Sequence, residues 1–100
     1  MSQEGTRFGR YQLEELLGEG ATARVYKAYD PATDCHVALK ILKEAWRADR
    51  EGVGRFLSEA RAAGALRHPN IVGIRDAGEI EAVPYIVMEL LQGQELAALL

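Results

Sequence analysis

Apolar positions along the chain fall into short alternating runs broken by glycine, proline and aspartate, with one longer stretch at helical spacing among them. Tyr11–Leu17 alternates in part and runs into Gly18 and Gly20, which predicts a strand and then a flexible turn. Ala23–Asp30 sets Val25 and the aromatics against long polar side chains and ends in Asp30-Pro31-Ala32-Thr33, which is turn chemistry, so the two runs predict a hairpin. His36–Leu42 is short, branched and mostly apolar, as a central strand would be. A polar stretch from Lys43 to Arg50 predicts at most a helical turn. From Val53 to Arg67, Phe56, Ala60, Ala63 and Leu66 then recur at helical spacing until His68-Pro69-Asn70 stops the helix. Ile71–Ala77 and Val83–Leu91 have strand character, with Gly78 to Glu81 as the turn between them, and Gln94 to Leu100 opens a second helix. Residues 1–7 are polar and aperiodic and predict a flexible terminus, so order should begin near Phe8. The predicted order is β-β-β-α-β-β-α, an α+β fold with a twisted five-stranded antiparallel sheet and one main helix.

Composition narrows the function classes. A chain of 100 residues has room for one small domain, and 48% hydrophobic with 27% charged residues suits a folded globular one. A net charge of −3 gives no electrostatic footprint for nucleic acid or anionic lipid. The lone Cys35 excludes an internal disulfide and a four-cysteine zinc site, which fits a reducing, cytoplasmic setting. No apolar run reaches the roughly 18 residues that span a bilayer, so no membrane contact is expected from this segment. An anchor elsewhere in a longer parent stays open.

The chemistry-bearing residues begin at Gly18-Glu19-Gly20-Ala21-Thr22-Ala23-Arg24-Val25, which fits G-x-G-x-x-G-x-V with Ala23 in place of the third glycine. Glycines let backbone N–H groups approach phosphate oxygens closely, and the same residues also serve an ordinary hairpin turn. A dinucleotide-binding oxidoreductase would need these glycines to open a helix, whereas Val25-Tyr26-Lys27-Ala28-Tyr29 favours a strand. In Val37-Ala38-Leu39-Lys40, alternation puts Ala38 and Lys40 on one face and Val37, Leu39 and Ile41 on the other. Lys40 is then either a surface lysine on an edge strand or a desolvated ammonium that needs a carboxylate and phosphates. Glu59 shares a helical face with apolar residues, where a desolvated carboxylate needs a cation; Lys40 and the local Arg55 are the two candidates. His36 reads as exposed, His68 as a helix-end turn residue, and neither has metal-ligand spacing, so no metal site is expected. Trp46 reads as a packing residue, and Cys35 lacks the neighbours of a nucleophile.

Together these residues resemble the N-terminal lobe of protein kinases, from about Phe8 to Leu100, and residues 8–100 form the single domain that this implies. Lys40 lies 22 residues after Gly18 and Glu59 lies 19 after Lys40, spacings usual in that family. Arg55-Phe56-Leu57-Ser58-Glu59-Ala60 and His68-Pro69-Asn70-Ile71-Val72 look like helix C and the following strand of eukaryotic-like bacterial Ser/Thr kinases. The resemblance implies that Lys40 meets the α- and β-phosphates of ATP and pairs with Glu59. It also implies that Gly18, Glu19 and Gly20 cover the phosphates, and that Leu17, Val25 and Ala38 wall the adenine. Met88 falls at the gatekeeper position, Glu89 and Leu91 at the hinge whose backbone bonds adenine, and Glu95 near the ribose.

The same resemblance implies a parent that transfers the ATP γ-phosphate to protein Ser or Thr hydroxyls, with Mg2+ held by ligands outside this chain. The implied partners are ATP, a protein substrate and the parent's C-terminal lobe. None of the His-Arg-Asp, Asp-Phe-Gly and Ala-Pro-Glu motifs occurs in these residues, so the 100 residues alone are expected to be inactive. The alternative is a pseudokinase-like or stand-alone lobe that acts as a nucleotide- or protein-binding module.

Overall fold

A computed structural model describes residues 6–65 and 73–90. Six strands form one antiparallel sheet: β1 (Arg7–Phe8), β2 (Tyr11–Glu19), β3 (Ala23–Asp30), β4 (Cys35–Leu42), β5 (Ile74–Ile80) and β6 (Val83–Glu89), in the order β1-β2-β3-β4-β6-β5. A short 3-10 helix, Glu44–Trp46, and the helix α1, Arg50–Ala65, lie between β4 and β5. The sheet therefore has one strand more than the five expected. The extra strand is only two residues long, and two residues are too few to show any alternation.

Alternation along β3, β4 and β6 loads the two faces of the sheet with separate cores. On one face Ala23, Val25, Ala38, Leu42, Ile86 and Met88 pack with Phe56 and Ala60 of α1. On the other, Leu13, Tyr26, Ala28, Val37, Leu39, Ile41 and Val87 pack with Tyr11 and Tyr85. Among the described residues no helix packs on that second face, and the aromatic rings of β1, β2 and β6 cover part of it. Phe8 meets Tyr85 edge to face at 5.6 Å between centroids, and Tyr11 lies 6.1 Å from the same ring. Gly9, at φ +58, turns β1 into β2 directly over Ile80; a Cβ there would come within 2.7 Å of Ile80 Cδ1.

Turn chemistry fixes the hairpins. Asp30 closes the β3–β4 turn by accepting from the Ala32 N–H at 3.0 Å and from the Thr33 hydroxyl at 3.2 Å. Between β5 and β6 the turn is Glu81–Ala82, both at positive φ (50 and 66), rather than the expected Gly78 to Glu81. Gly78 instead sits within β5, paired with Tyr85. The geometry is that of a two-residue hairpin turn, which usually announces itself by Asn-Gly or Asp-Gly and here does not.

The helix starts at Arg50, three residues earlier than its apolar stripe indicates, with Asp49 at the preceding cap position. The expected helix-stop residues His68-Pro69-Asn70, the start of the next strand at Ile71 and Val72, and the terminal helix from Gln94 all lie outside the described residues, as do Leu66 and most of the N-terminal segment.

Candidate functional site

The glycine-rich segment is the end of one hairpin. Gly18 pairs with Val25 and Glu19 with Arg24, and the Gly20 N–H donates to the Ala23 carbonyl at 2.8 Å across the turn. A strand follows the glycines, so the arrangement required by a dinucleotide-binding oxidoreductase is absent here.

Beside this hairpin in the sheet, Lys40 occupies β4, which has β3 on one side and β6 on the other. Its register partners are Val25 and Ile86, so the reading of an edge-strand lysine does not hold. The side chain is half-buried, with Nζ 6.0 Å from the centroid of the Phe56 ring. Burial pushes the Lys40 ammonium below the usual lysine range, and the Glu59 carboxylate opposes that shift by favouring the charged form.

Glu59 thus acts on Lys40, but it is exposed and not desolvated as the sequence pattern implied. The reason is angular: Phe56 and Ala60 take the buried face of α1, and Glu59 falls on its flank. There it borders a half-open cavity of about 230 Å3 together with Thr22, Leu42, Trp46, Arg55 and Phe56. Trp46 is 42% exposed and lines this cavity, which corrects the expectation of a packing residue. Its short helix buries none of its residues.

The apolar site candidates converge. Val25, Ala38 and Met88 are buried in one cluster on the Lys40 face, Leu17 packs against it, and Ala38 is the register partner of Met88. Glu89 ends β6, exposed, with its N–H donated to the Gly73 carbonyl at 2.9 Å. Leu91 and Glu95 lie outside the described residues. His36 is exposed, as read from the sequence, and its Nε2 lies 3.0 Å from Glu14 Oε1.

Residues 11–100 match the family model described as the protein kinase domain. The chain belongs to the protein kinase domain family. It is 43% identical to the Ser/Thr protein kinase PknE of Mycobacterium bovis over 99 residues, covering 99% of this chain and 18% of that protein. With the Ser/Thr protein kinase PrkC of Bacillus subtilis it shares 47% identity over 88 residues, covering 88% of this chain and 14% of that one. The crystal structure of the Mycobacterium tuberculosis PknI kinase domain superposes with a TM-score of 0.70 at 34% identity, covering 88% of this chain and 36% of that domain. This kinase segment therefore spans less than a fifth of the length of these two curated relatives.

One side-chain cluster at the glycine hairpin was not visible in the motif that contains Glu19 and Arg24. The Glu19 carboxylate takes Lys43 Nζ at 2.7 Å and Arg24 Nε at 3.1 Å, and these hydrogen bonds, Lys43 first, hold it below the usual carboxylate range. The strand register sets Arg24 opposite Glu19, and only a correct hairpin alignment would have found that pair.

Proposed function

We propose that this segment is the nucleotide-gripping lobe of a Ser/Thr protein kinase, which transfers the γ-phosphoryl group of ATP to hydroxyls of a protein substrate. One observation carries the reading: Lys40, on the inner strand next to the glycine hairpin, shares its face with Val25, Ala38 and Met88. A cation at the border of an apolar wall suits a ligand that is flat and apolar at one end and polyanionic at the other. In this reading the backbone N–H groups of Gly18, Glu19 and Gly20 cover the phosphates. Lys40, oriented by Glu59, meets the α- and β-phosphates, and Leu17, Val25, Ala38 and Met88 enclose the base. The backbone of Glu89 and Leu91 takes the edge of the adenine, and Glu95 the ribose.

Mg2+ would neutralise phosphate charge during transfer. We propose that its ligands lie outside these 100 residues, and no step is derived through it. Turnover likewise requires a base from residues beyond these 100, and we propose that they bind nucleotide without transferring phosphate. The cysteine usage favours a cytoplasmic setting for the segment. No helix among the described residues is long and apolar enough to cross a membrane.

The test is Lys40→Ala in the full-length protein, with ATP binding, phosphorylation of a generic protein substrate and circular dichroism measured together. Phosphorylation should fall by orders of magnitude with the spectrum unchanged. Near wild-type phosphorylation would remove Lys40 from the role.

A further inference from the structure

Glu19 sits in the glycine hairpin between Gly18 and Gly20, yet its side chain is turned away from the face that carries Lys40. Both of its cations lie on the opposite face: Arg24 and Lys43 line a shallow depression with Tyr26 and Ile41, which belong to the core on the far side of the sheet. The carboxylate bridges over β3, joining the end of β2 to its neighbour through Arg24 and to the next strand but one through Lys43. Lys43 also grips the hairpin through its backbone, since its N–H donates to the Thr22 carbonyl at 2.8 Å. The end of β4 is fixed in turn by Arg47, whose Nε donates to the Leu42 carbonyl at 2.8 Å.

We infer that Glu19, Lys43 and Arg24 form a latch on the outer face of the sheet that sets the height of the glycine hairpin over the nucleotide. Lys43 and Arg24 are positioning residues that act through the backbone of Gly18 to Thr22 and do not touch the ligand. The inference rests on the proposed nucleotide reading for its functional consequence, whereas the latch itself is made only of the chain's own contacts. A hairpin rich in small residues has many accessible heights, and few of them align its N–H groups with phosphate oxygens. Tying its tip to the end of β4 removes part of that freedom before the ligand arrives.

The test uses the full-length protein with Lys43→Gln, the conservative Lys43→Arg, and the charge exchange Glu19→Lys with Lys43→Glu. An exposed ion pair is worth enough to shift an equilibrium by up to about five-fold, so Lys43→Gln should raise KM for ATP about two- to five-fold, with a smaller change in kcat at saturating ATP. Lys43→Arg should recover part of the loss, and the charge exchange should recover less, because it restores the pair at position 43 but sets a cation against Arg24. In the nucleotide-free protein, amide exchange at Gly20 and Lys43 should quicken in Lys43→Gln and be restored in Lys43→Arg. An unchanged KM, or a loss confined to kcat, would overturn the positioning role. Unchanged amide exchange would overturn the latch. If the wild type failed to bind ATP, the nucleotide reading would fall, and the exchange measurement would still decide whether the latch exists.

Discussion

Arg10 closes on Asp30 with two hydrogen bonds, Nε to Oδ1 at 2.9 Å and Nη2 to Oδ2 at 3.2 Å, and so pins the β1–β2 turn to the β3–β4 turn. The Asp30 side chain is 3% exposed and also receives the Ala32 N–H and the Thr33 hydroxyl. These bonds, led by the one from Arg10, outweigh desolvation and hold the carboxyl below the usual aspartate range. A depressed carboxylate contributes stability that is complete above the unfolded aspartate value and is lost as pH falls through the folded one. Asp30→Asn should therefore lower unfolding stability by about 1–3 kcal/mol at neutral pH, with the gap to wild type narrowing in acid below about pH 4. Urea unfolding of both proteins at neutral and acid pH checks this, and a gap that widened in acid would contradict it.

Gly9 carries a conformational demand of its own. At φ +58 an alanine is strained whatever the space, whereas the Ile80 methyl that its Cβ would meet can rotate aside. Gly9→Ala should cost about 1–2 kcal/mol. Thermal unfolding measures it, and the double variant with Ile80→Val should recover only the smaller, steric share.

The two cores should separate stability from ligand binding. Leu39 is fully buried on the face opposite Lys40, so Leu39→Ala should lose about 2–5 kcal/mol of stability while ATP affinity, measured well below the unfolding temperature, stays near wild type. Ala38 is equally buried but on the Lys40 face; Ala38→Leu should weaken ATP binding at least as much as it weakens the fold. Isothermal titration beside chemical denaturation distinguishes the pair. Equal loss of affinity in both would argue against an ATP site on the Lys40 face.

Lys40 should trade stability for function. Its proton is bound less tightly in the folded state than in the unfolded one, so stability rises with pH between the folded value and the ordinary lysine value and lacks that gain at neutral pH. Lys40→Met, which keeps the stem and removes the charge, should be neutral or up to about 2 kcal/mol more stable at pH 7 in the absence of nucleotide. The difference should shrink as wild-type Lys40 deprotonates in alkali. Substantial destabilisation by Lys40→Met would show that the charge supports the fold.

The central strands and the sidedness of Lys40 were legible because alternation over seven or eight residues leaves little freedom of register. The helix was legible for the same reason at its own period, through Phe56 and Ala60. What the pattern missed lies where local conformation overrides composition. Glu81 and Ala82 take positive φ without a glycine or asparagine to signal it, and β1 is too short to have a period. Glu59 was placed on the correct helix but too deep, because a position three residues from a buried one can lie on the flank as easily as on the face. The partners of Glu19 depend on three strands at once, which no single run of sequence displays.

Along β4, neighbouring positions answer to different masters. Val37, Leu39 and Ile41 hold the second face together, while Ala38 and Lys40 face the proposed ligand, with Leu42 joining that side to α1. A library that randomised the odd-numbered sites would sample robustness at constant recognition, and one at Ala38 would sample ligand choice on an intact scaffold. The strand is in effect a two-channel device, in which durability and selectivity can be tuned one residue apart.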